Sequence, residues 1–278
     1  MPSMTDTHRP GPVRRIFAGS RRSAGQDLAA LLGELGVQRG GTLLVHAALG
    51  GSGLDAAAAR DALLDALGPD GTLVVPAFTQ ENSDTSRAHR RRTAHLTEPE
   101  RIRFRAGMPP YDPAISPCTG MGMLAECVRT TPGAVRSAHP QTSFAGLGPR
   151  AAELLADHDP ECHLGERSPL AALHRADAQI LLFRVGFEVC SAFHLAEYRT
   201  TPPPPTRTYR CVTVRTGHWV EYRDAVLDDS DFAAIGAQLP RGLTAEREFA
   251  GKAVILVPLR AAVDAAVRLM TGSGRGLT

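Results

Sequence analysis

Leu28, Leu31, Leu32 and Leu35 recur on one face of a helix that begins at Gln26, and Gly36 is placed to end it. The next apolar stretch lacks that period. Thr42-Leu-Leu-Val-His46 is short and continuous, the pattern of a strand covered on both faces, and Gly50-Gly-Ser-Gly53 after it reads as a turn. Asp55 opens an alanine-rich helix to Leu67, Pro69-Asp-Gly71 turns the chain, and Thr72-Leu-Val-Val-Pro-Ala-Phe78 gives a second buried strand. Strand, helix and strand in that order predict parallel pairing in a layered α/β domain. Helices are expected over 122–129 and 149–158, from Ser168 where a serine cap precedes a proline, and over 191–198, with Gln179 to Gly186 as the third buried strand. Between Thr79 and Cys118 no period survives, and roughly forty residues without an element are uncommon in a compact domain, which marks 79–118 as a functional loop. Pro202 to Pro205 forms a stiff connector. Beyond it, 208–214 and 219–222 alternate as an antiparallel hairpin, and a strand at Ala253 to Val257 and an apolar helix from Leu259 to Met270 close the chain.

Composition narrows the class. The 278 residues are 43% hydrophobic and 22% charged, enough for a full core, and 31 basic against 29 acidic residues leave a net charge of +2. No global field draws such a chain to nucleic acid or to a membrane surface, so a charged partner has to be recognised locally. The five cysteines (118, 127, 162, 190, 211) are odd in number and contain no Cys-x-x-Cys pair, which argues against a disulfide framework and a thiolate zinc site and fits a reducing cytoplasm. No apolar run approaches the ~18 residues that span a bilayer. Pro2, Asp6 and Pro10 ahead of Arg14 and Arg15 deny the start a signal-peptide core, so 1–24 reads as a loose leader and 25–278 as a single domain.

Phosphate loops of the Gly-x-Gly-x-x-Gly and Gly-Lys-Ser/Thr types are missing, as is Gly-x-Ser-x-Gly. Three clusters of His, carboxylate and hydroxyl groups remain near strand ends, where open α/β sheets place their sites: His46, Ser137 to Ser143, and Glu188 to Glu197. His139 precedes a proline, which holds the local chain extended and suits a proton-transfer imidazole; Glu188 is a reasonable acceptor to orient it. The plainer reading is a histidine that only hydrogen-bonds its loop, and His46 has the same alternative. His194 and Glu197, three apart, share a helix face and would bind metal only if further ligands converged. Cys190 and Cys118 are either acyl nucleophiles or buried structural thiols. Arg87, Arg90, Arg91, Arg92, Arg101, Arg103 and Arg105 form either a solvated basic surface or forks for cofactor phosphates.

Several ordered segments carry a family resemblance. Val45-His46, Leu67-Gly-Pro-Asp-Gly-Thr-Leu73 with Pro76-Ala-Phe-Thr79, Arg129 to Phe144 with its Pro-Gly-Ala-Val-Arg-Ser-Ala-His-Pro run, Ser168-Pro-Leu170 and His194-Leu-Ala-Glu197 resemble, in sequence, the aminoglycoside 3-N-acetyltransferase family. The resemblance implies a layered α/β/α fold with a mixed sheet and a C-terminal antiparallel hairpin. It also implies direct transfer of an acetyl group from acetyl-CoA to the 3-amino group of an aminoglycoside, with no metal and the cysteines as bystanders. His139 matches the His-Pro histidine and becomes the expected base, Glu188 its orienting carboxylate and Ser143 the hydroxyl facing the oxyanion. His46, Ala47 and Ser143 are expected to meet the cofactor; Glu197, His194 and Asp84 are expected to meet a cationic acceptor. The partners implied are small molecules, and a homodimer is compatible with the pattern. Departures are visible: Ala47 and Ala48 stand where many relatives have serine, and Arg167 and Arg184 where glycine is usual. An arginine at 184 is expensive to bury unpaired: either it pairs with a carboxylate such as Glu188, or it shapes the pocket for an acceptor unlike the multi-cationic sugars. Two other readings stay open, an acyltransferase for a different amine or with a longer acyl donor, and a silent coenzyme A-binding scaffold.

Overall fold

The computed structural model describes residues 13–213 and 217–272. Helix α1 (Val13–Leu35) starts well ahead of Gln26, so part of the expected leader is helical, and residues 1–12 lie outside the described residues. Leu28, Leu32 and Leu35 are buried, as their spacing requires. Strand β1 (Thr42–Ala47) is buried almost throughout. Helix α2 (Ala56–Leu67) begins where Asp55 accepts a hydrogen bond from the Ala58 N–H and stops at Gly68, which turns back at φ 72°. Then come β2 (Thr72–Pro76), α3 (Arg87–Thr93), α4 (Glu98–Ala106), α5 (Met123–Thr130), β3 (Val135–Arg136) and β4 (Phe144–Leu147). Helices α6 (Ala151–Leu155) and α7 (Pro169–Arg175) lead to β5 (Gln179–Phe183) and α8 (Ala192–Tyr198). Ser168 caps α7 as expected. The chain closes with β6 (Thr206–Val212), β7 (Trp219–Ala225), α9 (Phe232–Ala237), β8 (Ala245–Phe249), β9 (Lys252–Pro258) and α10 (Leu259–Gly272).

Seven strands form one mixed sheet in the order β3-β4-β2-β1-β5-β9-β8, and β6 and β7 form a separate antiparallel pair. At the centre, β1 runs parallel to both β2 and β5; every other pairing is antiparallel. Alternating side chains of the central strands feed two cores. Leu44, Ile180 and Leu182 pack with α7, α8 and α10 on one face, while Leu43, Val45 and Leu181 pack with α1, α2 and α5 on the other. The architecture is therefore α/β/α with a mixed sheet and a C-terminal hairpin.

Segment 79–118 departs from the expectation of an element-free loop, because it contains α3 and α4. Neither has an apolar stripe to betray it. Ser86 caps α3, and Thr97 and Glu100 form a reciprocal capping box on α4, which has no buried residue. Hydrogen bonds from Arg101 to the Thr93 and Ala94 carbonyls and an ion pair from Arg105 to Asp84 hold the segment together. Four further elements carry no pattern, the first of them the two-residue strand β3. Strand β4 is only Phe-Ala-Gly-Leu, β8 is a charged edge strand, and α9 is a six-residue helix.

Candidate active site

The carboxyl ends of β1 and β5 lie side by side, with His46 opposite Leu182 and Ala47 opposite Phe183. The chain leaves β1 toward β2 on one side and finds β5 on the other, so this is where the strand order reverses and a crevice opens. A cavity of about 570 Å³ occupies it, walled by 45–50, the end of β2, the start of α5, the connection from β5 into α8, and Asp229 and Phe232 beside α9. Its surface is mostly apolar; His46, Glu188, Ser191, His194 and Asp229 supply the side-chain chemistry.

His194 stands one turn before Glu197 on α8, and the helical spacing brings its Nδ1 to 2.6 Å from Glu197 Oε2. The other carboxylate oxygen of Glu197 accepts the Asp228 N–H at 2.9 Å, so the acid is fixed from two sides while buried. The Phe232 ring, 4.8 Å away, steadies the imidazole. A histidine oriented through Nδ1 by a carboxylate, with its remaining edge on a cavity wall, is the arrangement that general-base chemistry asks for. On β1, His46 Nε2 lies 3.3 Å from the Ser191 hydroxyl. Burial, and then the proximity of His194, push the His46 imidazole down to about 3, so it works as a neutral hydrogen-bonding ring.

The expectation for His139 does not fit this geometry. Its side chain is fully buried and contributes nothing to the cavity wall. Nδ1 accepts the Gln141 and Thr142 N–H groups, each at 3.1 Å, and the buried Nε2 has no hydrogen-bond partner. The ring is stacked between His158 and His163 at 4.7 and 4.9 Å, and burial holds it well below the usual imidazole range. Nδ1 serves the loop, and neither nitrogen lines the cavity. Glu188 does not orient it: this exposed carboxylate lies on the cavity wall and accepts the Gly186 N–H at 3.0 Å. Ser143 is also buried away from the cavity, donating to the Ala77 carbonyl at 2.8 Å and accepting from Arg136 Nε at 3.0 Å. The most distinctive motif of the sequence is thus a joint that ties β3 and β4 to the end of β2.

Asp84 is likewise no acceptor contact, because its buried carboxylate is engaged by Arg105 and Arg210 and fastens the 79–118 segment to the hairpin. Ala47 and His46 do line the cavity. Glu197 has its oxygens committed to His194 and Asp228, which leaves Glu188 and Asp229 as the acids on the wall. Among the described residues, no arginine of the long segment lines the cavity, and Arg184 does not pair with Glu188. Among the described residues no cluster of metal-ligating side chains forms around His194. All five cysteines are free; burial pushes Cys118 and Cys190 up to about 12, where a thiolate nucleophile is out of reach at neutral pH.

Residues 44–271 match the aminoglycoside 3-N-acetyltransferase family. The aminoglycoside N(3')-acetyltransferase-like protein YokD of Bacillus subtilis is 32% identical over 227 residues, spanning 79% of this chain and 80% of that protein. The chain belongs to the aminoglycoside 3-N-acetyltransferase family. Aminoglycoside N(3)-acetyltransferase VIII of Streptomyces fradiae is 34% identical over 78% of this chain and 74% of its own length. The crystal structure of YokD superposes with a TM-score of 0.83 at 29% identity, covering 91% of this chain and 95% of the other. The structure of AAC-IIIb with CoASH gives 0.76 at 28% identity, with 90% and 96% covered. This chain is accordingly an acetyltransferase. Within the acetyltransferase the sequence already held the His194–Glu197 pair: a His-x-x-Glu at one helical turn is the signal for an imidazole gripped by its own helix. The spacing by itself reads equally as a metal or acceptor contact.

Proposed function

We propose that the protein moves an acetyl group from acetyl-CoA to an amine, in the first instance the 3-amino group of an aminoglycoside, by direct attack assisted by His194. The observation that carries this is the His194–Glu197 pair on the wall of a cavity at the paired ends of β1 and β5. An amine arrives mostly as ammonium and cannot attack while protonated. His194 accepts the proton, and the nitrogen lone pair forms a bond to the thioester carbonyl carbon. The bonded nitrogen, now cationic, gives up its second proton as the tetrahedral oxyanion collapses and the carbon–sulfur bond breaks; one of the two protons passes by way of His194 to the leaving coenzyme A thiolate and the other goes to solvent. Glu197 supplies the negative charge opposite the imidazolium that exists between those proton transfers, and keeps the ring from turning. The Ser191 hydroxyl, held by the neutral His46 ring, stands on the same wall as a hydrogen-bond donor for the oxyanion. Glu188 and Asp229 offer their charge to the ammonium before it is deprotonated. With the thiols buried and protonated, no acyl-cysteine stage is required.

Acetyl transfer followed by release of free thiol tests the scheme. His194→Ala is expected to lower turnover by about two to four orders of magnitude, the range for loss of a general base. Cys190→Ala should keep its activity. Turnover unchanged in His194→Ala would end the scheme. A second reading is favoured by the lining itself: two acids on a mostly apolar wall suit an amine with few charges and an apolar body better than a polycation. Comparing kcat/KM for sisomicin and for mono- and diamines with apolar substituents separates the two acceptor classes.

A further inference from the structure

Arg184, just past β5, takes a backbone conformation with φ 61°, a left-handed state that disfavours any residue with a Cβ. Its N–H donates to the Ala253 carbonyl at 3.0 Å, so the pairing of β5 with β9 locks it in place. The side chain is 6% exposed, yet Nε and Nη1 have no hydrogen-bond partner. A guanidinium cannot shed its charge, so burying it unpaired is costly unless something else completes it. The expected partner, Glu188, is turned to the Gly186 N–H instead.

What does lie against the guanidinium is the turn after β1. Nη2 sits 3.7 Å from the point where a Cβ on Gly51 would be. Gly51 and Gly53 have φ of 72° and 77°, conformations glycine adopts freely, and without side chains this turn lets a ligand approach its backbone. The next residues on each side, Gly50 and Val185, line the cavity. An uncompensated planar cation and a glycine-rich turn thus meet at the margin of the site. Asp55 closes the α2 N-terminus by accepting from Ala58, so an anion here would address the turn and the arginine and not the helix end.

Planar guanidinium forks suit phosphate oxygens, and in the reaction above the donor carries a diphosphate and a ribose phosphate. We propose that Arg184 and the Gly50–Gly53 turn form an anion site that grips a phosphate of the coenzyme A donor. The proposal rests on the acetyl-CoA reading. It distinguishes this chain by a residue that stands where glycine is usual in the family, and it accounts for a charge that the fold alone leaves without a partner.

Calorimetric titration of coenzyme A and of pantetheine, which lacks the phosphates, into the wild-type protein and into Arg184→Gln, Arg184→Lys and Arg184→Gly tests it. Coenzyme A is expected to bind roughly 10- to 100-fold more weakly to Arg184→Gln, as for loss of charge-assisted hydrogen bonds, with partial rescue in Arg184→Lys. Pantetheine should bind all four proteins alike. The ligand-free Tm of Arg184→Gly should equal or exceed that of the wild type, since glycine suits φ 61° and the unpaired charge is gone; an arginine that served only the scaffold would lower it. Equal coenzyme A affinity in folded wild-type and Arg184→Gln proteins would overturn the proposal, and so would a matching loss for pantetheine. Should the wild type bind no coenzyme A, the donor reading fails with it. Inorganic pyrophosphate that raises the wild-type Tm but not that of Arg184→Gln would then still locate an anion site here.

Discussion

Glu197 does two things with one carboxylate, holding the His194 ring through Oε2 and the start of the 228–231 segment through Oε1. Replacing it by glutamine keeps the shape and removes the charge that faces an imidazolium. Glu197→Gln is therefore expected to lower kcat by about 10- to 100-fold, as for loss of a residue that orients a catalytic group, with a smaller change in KM. A pH–rate profile checks this: the acidic limb of kcat/KM should move in Glu197→Gln, whereas a purely structural acid would scale the whole profile without moving it. His139 makes the contrast. A nitrogen occupied by two N–H groups of its own loop and a ring stacked between two others belong to a residue whose loss weakens the fold.

The stack of His139, His158 and His163 joins the hairpin to the body of the protein. Tyr222 of β7 meets His163 Nε2 at 2.9 Å, and Asp224 takes the His163 N–H at 2.7 Å and its Nδ1 at 2.8 Å, with the Tyr198 hydroxyl at 2.8 Å. Burial lowers all three imidazoles, His158 to about 4. In the unfolded chain each titrates near 6.5. Below that pH the unfolded state binds protons that the fold refuses, so the stabilisation is intact above about 6.5 and fades as pH falls toward 4. The slope amounts to at most about 1.4 kcal/mol per pH unit for each group. Thermal unfolding by circular dichroism at pH 7.5, 6.5, 5.5 and 4.5 should show Tm falling across that interval, with a shallower fall in His158→Gln. No difference between the two slopes would remove His158 from the explanation. These elements also show where a sequence is readable. The buried strands β1, β2 and β5 declared themselves because their apolar runs are decided by the cores on both faces. Helices α3 and α4 did not, because caps and ion pairs hold them and leave no period. The His-Pro motif was visible, but its burial depends on β4, α6 and the hairpin meeting around it, contacts from distant parts of the chain that no local pattern records.

Across the described residues, one central trio of parallel strands supports two cores and opens a crevice at its carboxyl end. The fold class followed from the order of strands and helices, whereas the antiparallel flanks β3, β4 and β8 are too short or too charged to announce themselves. A donor that binds in the crevice touches β1 and β5 together and so stabilises the sheet that both cores share. Coenzyme A at about 100 times its Kd should stabilise the protein by about 2.7 kcal/mol, which for a chain of this size raises Tm by roughly 4–6 °C. A thermal melt with and without coenzyme A checks it, and an unchanged Tm at that ratio would place the donor elsewhere.

Gly186 has a consequence for engineering the enzyme. Its φ of −102° is open to any residue, but a methyl group there would collide with the carboxylate of Glu188, which folds back onto its N–H. The smallest side chain at 186 would thus swing that acid outward at little cost to the backbone. A library that varies this position would retune which amines the mouth of the cavity welcomes while leaving the histidine and its helix untouched.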